Sequence, residues 1–192
     1  RGNLLEAKPE YARQIKIDSP VLNESELAQI QQMGFKSIEL NIVFPLDRGP
    51  QGLKAIIEDI CNAAVAAVKA GTEILILSDR ALDSNHAFVP PMLAVGAVHH
   101  RLIAEGLRMQ ASIVVETAQC WSTHHFACLI GYGASAICPY LALETVRQWW
   151  GKPKTQMQMQ QGKVKSLSIE QVQEKYRQAV EGGLLKILSK MG

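Results

Sequence analysis

Ile74-Leu75-Ile76-Leu77-Ser78-Asp79-Arg80 is the stretch that decides the fold, an unbroken apolar run followed at once by polar and charged residues. A short apolar run without polar alternation is typical of a strand that is covered on both faces. Two further runs of this kind lie at Ala111–Val115 and Ala134–Cys138. Together the three runs predict buried strands of one sheet.

Helical patterns separate and follow these strands. Apolar residues recur at helical spacing between Gln51 and Ala70, between Met92 and Glu105, and from Thr123 to Gly131. Strands that alternate with helices predict an α/β fold, because parallel strands need crossover connections. Four or five such units are fewer than the eight of a closed barrel. We therefore expect parallel strands in a partial or degenerate TIM-barrel-like domain, with an open doubly wound sheet as the alternative.

The remaining elements are predicted from local signals. Asn23 is the expected cap of an early helix, and the alternation over residues 35–44 predicts one strand. Residues 14–17 are compatible with another short strand. Near the other end, Gly182-Gly183 is predicted to divide the last helical stretch into two helices.

Residues 151–167 interrupt the strand–helix order with a mixture of glutamine, methionine and lysine, and Ser168 then offers a cap for a new helix. We expect 151–167 to be a surface excursion from a single domain that spans residues 1–192. The sequence starts with Arg1 rather than Met and stops directly after a helical segment. We therefore expect it to be a fragment of a longer polypeptide.

Composition narrows the class of protein. The chain has 192 residues, of which 47% are hydrophobic and 20% charged, as in ordinary globular domains. Its formal net charge of +2 favours neither a nucleic-acid nor a membrane partner. The apolar runs are too short to cross a bilayer. Four cysteines without a Cys-x-x-Cys pair indicate buried, reduced thiols rather than a metal or iron–sulfur site (Cys61, Cys120, Cys128 and Cys138).

Polar side chains follow two of the predicted strands, at the point where each strand ends. Asp79 and Arg80 come directly after the first, and Glu116 and Thr117 end the next. Because the carboxyl ends of parallel strands meet at one rim, these four are the candidates for a site. Asp79 and Arg80 could bind a substrate, line a polar tunnel or hold the following loop. Glu116 could act as a general base, cap a backbone group or pair with Arg80.

Histidines and cysteines give weaker signals. His99-His100 and His124-His125 lie on different predicted helices, and adjacent helical residues point about 100° apart. Each pair therefore sends at most one ring to the same place, and no metal site is predicted. Cys120 lies close to His124 in sequence, but a nucleophile turn and a third group are lacking.

Several long stretches of this sequence resemble one family, the large chain of glutamate synthase, in its central domain. The likeness runs from about Pro20 to the end of the chain and is weakest over residues 151–166. The motifs that carry it are Ile74–Arg80, Pro91–His100, Ala111–Gly133, Cys138–Glu144 and Leu184–Gly192. Thr117–His125 and Arg147-Gln148-Trp149-Trp150 are most similar to the ferredoxin-dependent type of cyanobacteria and plastids.

The resemblance implies a non-catalytic role within a large enzyme. In that family an amino-terminal cysteine hydrolyses glutamine, and ammonia passes through an internal tunnel to a flavin mononucleotide (FMN) site. There 2-oxoglutarate is converted to glutamate with electrons from ferredoxin, delivered through an iron–sulfur cluster. The central domain joins the glutaminase and FMN domains and helps to wall the tunnel. The cysteine nucleophile, the cluster cysteines and the flavin-binding segment have no counterpart here, so no catalytic, cofactor or metal residue is assigned.

Three hypotheses about the function of this chain therefore remain open. The first is the bridging domain, with the glutaminase and FMN domains of the same chain as partners, neither nucleic acid nor membrane, and a location in a cyanobacterial cytoplasm or a plastid stroma. On this reading Asp79, Arg80, Glu116 and Thr117 are tunnel or interface candidates. The second is a free-standing barrel-like enzyme that acts on a small anionic substrate. The third is a hydrolase with a histidine-bound metal.

Overall fold

A computed structural model describes Lys8 and residues 13–191. Four parallel strands form its main sheet: β1 (Ser37–Asn41), β3 (Ile74–Ser78), β5 (Ser112–Glu116) and β6 (Ala136–Cys138). Two short strands, β2 (Val43–Pro45) and β4 (His86–Phe88), pair antiparallel beside it. The described helices are α1 (Glu24–Gln32), α2 (Gly49–Lys69), α3 (Pro91–Ala104), α4 (Thr123–Gly131), α5 (Tyr140–Gly151), α6 (Pro153–Gln160) and α7 (Ile169–Met191).

The spatial order of the main sheet is β1-β3-β5-β6, which is also the order along the chain. A doubly wound sheet reverses its order at a switch point, whereas a βα-barrel adds each strand next to the previous one. The sheet is therefore a four-stranded arc of a barrel. This confirms the predicted α/β class with a partial-barrel architecture, and the doubly wound alternative was wrong.

The two faces of the sheet are covered differently. One face, with Leu75, Leu77 and Ile113, packs in the larger core cluster with apolar residues of α2, α3, α4 and α7. The other face, with Ile76 and Val114, packs against α1 and neighbouring segments. In a closed barrel this second face would line the interior. Here α1 covers it, so the arc is packed on both sides.

The predicted strand over residues 35–44 is wrong in one respect, because the chain changes sheets at Ile42. β1 ends at Asn41, whose side-chain oxygen accepts a hydrogen bond from the Val43 amide at 3.2 Å. The Ile42 amide still donates to the Ser78 carbonyl, whereas the Ile42 carbonyl accepts from the Val89 amide. Ile42 thus belongs to the ladders of both sheets, which alternation in a sequence does not reveal.

Two further predictions at the ends of the chain were wrong. Residues 14–17 form no strand, and Ile15 packs instead against the cluster on the α1 side of the sheet. The predicted break at Gly182-Gly183 is absent, because α7 runs unbroken through both glycines. Two predicted caps are confirmed: Asn23 forms a capping box with Glu26, and the side chains of Ser168 and Gln171 bind each other's backbone amides.

Residues 151–167, the expected surface excursion, contain α6, which follows α5 after the single residue Lys152 and is itself followed by a turn. The indole N–H of Trp150 donates to the Leu167 carbonyl at 2.8 Å and thereby closes the base of this segment. Thr155 and Met159 of α6 are buried. Across the described residues, none of the helices has both the length and the apolarity required to traverse a lipid bilayer.

We predict opposite effects for the two adjacent glycines of α7. A Cβ atom added to Gly183 would lie 2.5 Å from the Thr123 hydroxyl oxygen at the start of α4, whereas nothing lies within 4 Å of one added to Gly182. Gly183→Ala should lower the free energy of unfolding by about 1–3 kcal/mol through overpacking. Gly182→Ala should raise it by about 0.5–1 kcal/mol, because alanine favours a helix interior. Urea unfolding of both variants measures the difference, and a larger loss for Gly182→Ala would refute this account.

Candidate functional site

The register of the parallel sheet brings three strand ends to the same level. Ser78 is the pairing partner of Glu116, and Glu116 is the partner of Cys138. The residues that directly follow these strands therefore emerge side by side at one rim. Asp79 and Thr117 lie next to each other at this rim, as the sequence analysis expected, and Tyr140 joins them from the third strand end.

The buried carboxylate of Asp79 ties these connections together. It accepts a hydrogen bond from the Thr117 hydroxyl at 2.6 Å and another from the Tyr140 hydroxyl at 2.8 Å. The Ala118 amide lies 3.0 Å from one of its oxygens and 3.2 Å from the other. Asp79 and Thr117 are both fully buried. The group formed by Asp79, Thr117, Ala118 and Tyr140 is called the Asp79 tie below.

Glu116 forms the second connection at this rim. One of its oxygens accepts from the Ser78 hydroxyl at 2.6 Å, and the other accepts from the Arg80 Nε at 2.7 Å. Of the three roles open to Glu116 in the sequence, the geometry supports the ion pair with Arg80. Both carboxylate oxygens are occupied by donors, so Glu116 is poorly suited to removing a proton from a substrate.

Arg80 crosses from this buried network to the surface. Its guanidinium carbon lies 4.3 Å above the centre of the Tyr140 ring, and one terminal nitrogen lies 3.8 Å from a Glu24 oxygen. Glu24 is also bound by Arg147 at 2.8 Å. The side chain of Arg80 remains 45% exposed. A cation that already faces two carboxylates and an aromatic ring attracts a further anion only weakly.

Burial and neighbouring charges determine the protonation states of Tyr140 and Arg80. Burial raises the pKa of Tyr140 well above its ordinary value, and its hydrogen bond to the neighbouring Asp79 carboxylate raises it further. Tyr140 therefore stays a hydrogen-bond donor. For Arg80, burial lowers the pKa, but the hydrogen bond and charge of Glu116 outweigh it and leave the pKa raised.

Two members of this network, Ser78 and Tyr140, were missed as site residues by sequence reasoning. A serine at the end of an apolar run and a tyrosine after Cys138-Pro139 carry no motif. Their signal was positional: each lies within two residues of a predicted strand end, the same criterion that selected Asp79 and Glu116.

The histidines serve separate local contacts. The His99 Nδ1 accepts from the Arg108 Nε at 2.8 Å, and Arg108 also donates to the carbonyl groups of Ala111 and Gly133. His124 lies 3.6 Å from the sulfur of Cys128, which is one helical turn away. In the part of the chain that the structure describes, no three potential ligands gather as a metal site would require.

Burial changes the pKa of two of the cysteines. Burial raises the pKa of Cys120 to about 12, with a contribution from Cys128. Burial likewise raises the pKa of Cys138 to about 12, with contributions from the Glu116 and Glu24 carboxylates. Both thiols are therefore protonated at neutral pH.

Two cavities lie away from the rim. One of about 500 Å³ opens at the amino ends of the strands and is lined in part by Ile74, Phe35 and Arg13. The other, of about 300 Å³, lies between α1, α5 and α7 beside Arg177. Arg177 is bound to both oxygens of Glu26. Neither of these two cavities is lined by any of the four candidate residues.

Comparisons with known proteins converge on one family. The family described as "Glutamate synthase central domain" matches residues 1–192. The sequence is 56% identical over 194 residues to the ferredoxin-dependent glutamate synthase of Pyropia yezoensis, covering 100% of this chain and 13% of that protein. It is 55% identical over 196 residues to ferredoxin-dependent glutamate synthase 2 of Synechocystis sp., covering 100% of this chain and 12% of the relative. The chloroplastic enzyme of Spinacia oleracea is 54% identical over 196 residues, with the same coverage as Synechocystis.

A solved structure of a mutant flavocytochrome b2 with benzoylformate is similar at a TM-score of 0.48 and 12% sequence identity. The likeness covers 83% of this chain and 46% of that one.

This chain spans about one eighth of the length of the curated relatives that it matches in sequence.

The first prediction for this site concerns the Asp79 tie. Asp79→Asn places a donor where the structure needs an acceptor and leaves a buried N–H or O–H without its partner. We expect the free energy of unfolding to fall by about 2–4 kcal/mol. Asp83→Asn, a change of the same chemistry at an exposed carboxylate in the same connection, should alter it little. Equal losses in urea unfolding would contradict the role of the tie.

The second prediction concerns His99. Burial, the Arg108 charge and His100 lower its pKa below the ordinary 6.5. The unfolded chain then binds a proton more readily than the folded one, so stability is complete above pH 6.5 and is lost as the pH falls. Between pH 7 and 5, His99→Gln should show a shallower loss of unfolding free energy than the parent. The exposed His124→Gln serves as the control, and identical slopes for all three proteins would exclude a role for His99.

Proposed function

Because this chain belongs to the glutamate synthase central-domain family, we propose that it is the non-catalytic central domain of a ferredoxin-dependent glutamate synthase. The whole enzyme would convert glutamine and 2-oxoglutarate to two molecules of glutamate, with electrons from reduced ferredoxin. This domain would join the glutaminase domain to the FMN domain and help to wall the path of ammonia between them.

The observation that carries the proposal is the saturation of the polar rim. In a βα-barrel enzyme the carboxyl ends of the strands present reactive groups to a substrate. Here the Asp79 carboxylate already accepts from Thr117, Ala118 and Tyr140, and both Glu116 oxygens are occupied. Groups used up in this way stabilise a shape and do not make or break bonds. The reading as a free-standing enzyme that acts on an anion therefore gains no support from this geometry.

A wall for ammonia has different requirements from an active site. It must exclude bulk water and hold its shape, so that ammonia reaches the second site at a high effective concentration. Among the four candidates, Arg80 alone is substantially exposed and could face such a path or an adjoining domain. Asp79, Glu116 and Thr117 would not face the ammonia path themselves. Their hydrogen bonds would fix the strand ends from which the wall is built.

The cofactors would belong to other parts of the polypeptide. The relatives are named ferredoxin-dependent, and we infer that the whole enzyme uses FMN and an iron–sulfur cluster bound outside these residues. The glutaminase and FMN domains would be the direct partners, and ferredoxin would be a partner of the full enzyme. The named relatives place such enzymes in cyanobacteria and chloroplasts, which favours a cyanobacterial cytoplasm or a plastid stroma.

The test compares two arginines at opposite ends of the sheet in the full-length enzyme. Arg80 lies over Tyr140 and pairs with Glu116, whereas Arg13 lies 4.4 Å from the centre of the Phe35 ring and pairs with Glu73 at 3.1 Å. Arg80→Ala should raise, severalfold, the ammonia released to solution per glutamine hydrolysed, because it opens the wall. Arg13→Ala should leave this ratio unchanged. Equal release from the two variants would count against a wall at this rim.

The non-catalytic role has its own control. The isolated 192-residue chain, given glutamine, 2-oxoglutarate and reduced ferredoxin, should form no glutamate and release no ammonia. Turnover by the isolated chain would overturn the proposed function, whatever the arginine variants show.

A further inference from the structure

We propose that residues 151–167, called the basic excursion below, form a docking surface for an acidic peptide segment of a separate protein. The excursion contains no arginine, aspartate or glutamate but four lysines: Lys152, Lys154, Lys163 and Lys165. It therefore carries +4, whereas the whole chain carries +2, so the residues outside it sum to −2. The net positive charge of the chain is thus concentrated in one short segment.

Nothing in the described part of the chain compensates these four charges. All four lysines are exposed, and no hydrogen bond or ion pair to a described residue engages their ammonium groups. Other lysines do have such partners: Lys69 pairs with Glu105 at 3.1 Å, and Lys36 donates to the Ala70 carbonyl at 2.7 Å. Uncompensated charges of one sign produce a field that attracts an oppositely charged partner.

The base of the basic excursion brings two of the lysines together. The bond from the Trp150 indole to the Leu167 carbonyl joins the two arms of the segment at 2.8 Å. Lys152 and Lys165 each lie two residues from this bond. Both arms therefore present a lysine at the same end of the excursion.

The other two lysines lie near each other through α6. Lys154 is one turn before Gln158, which corresponds to a rise of about 6 Å. The Lys163 amide donates to the Gln158 carbonyl at 2.9 Å, which folds the chain back onto the helix. The backbones of Lys154 and Lys163 are therefore separated by on the order of 10 Å, about one Debye length in moderate salt. An incoming anion interacts with both charges at once.

The basic excursion is anchored on its inner side. Thr155 and Met159, one helical turn apart, are 4% and 8% exposed, whereas Met157 between them is 55% exposed. The Gln156 side chain also donates to the Trp150 carbonyl at 2.6 Å. A surface that is already ordered loses less free energy on binding than a loop that must first be fixed.

The composition of the excursion favours a peptide over other polyanions. Nucleic acids are read by arginine forks and by aromatic rings that stack on bases, and the excursion has neither. Binding to a membrane surface requires several large apolar side chains, and within the excursion only Met157 is an exposed one. Glutamines between the lysines can donate to and accept from a peptide backbone. Aspartate and glutamate side chains would pair with the ammonium groups.

The same features favour a separate protein over a permanently attached domain. Permanent interfaces are mostly apolar, and an unpaired charge buried in one is strongly unfavourable. Exposed charges instead accelerate the encounter of two molecules that diffuse independently. This inference does not depend on the proposed function, because it concerns a surface outside the rim and requires no turnover.

Fluorescence anisotropy of a labelled oligoglutamate peptide, added to the full-length enzyme, tests the proposal. One variant changes all four lysines of the excursion: Lys152→Gln, Lys154→Gln, Lys163→Gln and Lys165→Gln. It should bind the peptide about tenfold more weakly and with less dependence on salt, because several exposed ion pairs of modest strength are lost together. Binding of the same affinity as in the parent, or a parent that does not bind the peptide, would overturn the proposal.

A matched control removes the same charge elsewhere. It changes four other exposed lysines that have no partner among the described residues: Lys16→Gln, Lys54→Gln, Lys186→Gln and Lys190→Gln. Affinity should fall by about twofold or less, because distant exposed charges are screened. Equal losses in the two variants would show that net charge, and not this surface, binds the peptide. Arginine at the four excursion positions keeps the charge and should preserve binding.

Two further probes test the class of the occupant. Oligothymidylate and vesicles of phosphatidylcholine and phosphatidylglycerol replace the peptide at the same ionic strength. Neither should distinguish the excursion variant from the control variant. If either probe binds more tightly than the peptide and loses that binding in the excursion variant alone, the occupant is a nucleic acid or a membrane and the proposal is wrong.

Discussion

The structure depends most on one buried carboxylate, that of Asp79. Three connections of the sheet meet at it: the one after β3 supplies the carboxylate, and the two after β5 and β6 supply its donors. An isolated buried carboxylate would be strongly unfavourable, so the arrangement holds only because the hydroxyl and amide donors converge. The convergence in turn follows from the register that brings Ser78, Glu116 and Cys138 level. The register thus brings the strand ends together, and the hydrogen bonds to Asp79 hold the connections that follow them in place.

The sequence was informative where one physical factor dominated. Buried parallel strands need apolar residues on both faces, so the runs at Ile74–Leu77 and Ala111–Val115 predicted the sheet, and the polar residues after them predicted the rim. It was less informative where two factors competed. Gly182-Gly183 lowers helix propensity, yet the close approach of Gly183 to Thr123 needs a glycine inside a continuous helix. Here tertiary packing outweighed local helix propensity, and a local sequence pattern does not reveal such packing.

At the candidate site, too, the sequence predicted positions along the chain better than it predicted side-chain contacts. The sequence identified Asp79, Arg80, Glu116 and Thr117 as rim residues, because strand ends are recognisable, but it missed Ser78 and Tyr140. The sequence could not show whether the carboxylates of Asp79 and Glu116 would face a ligand or bind donors of the protein itself. That choice depends on side-chain directions, which tertiary packing determines. The structure turns both inward. The arc keeps the strand–helix order of a βα-barrel. At its carboxyl-end rim, protein donors occupy the two carboxylates, and α1 packs on the other face of the sheet.

The thiols buried along the sheet have a consequence for redox chemistry. A cysteine attacks disulfides or peroxides only as its thiolate, and a pKa of about 12 leaves Cys120 and Cys138 almost wholly protonated at neutral pH. Their sulfur atoms are also shielded from solvent. These two thiols are therefore poor nucleophiles toward disulfides and peroxides, so the sulfur chemistry along this part of the sheet is held inactive by burial.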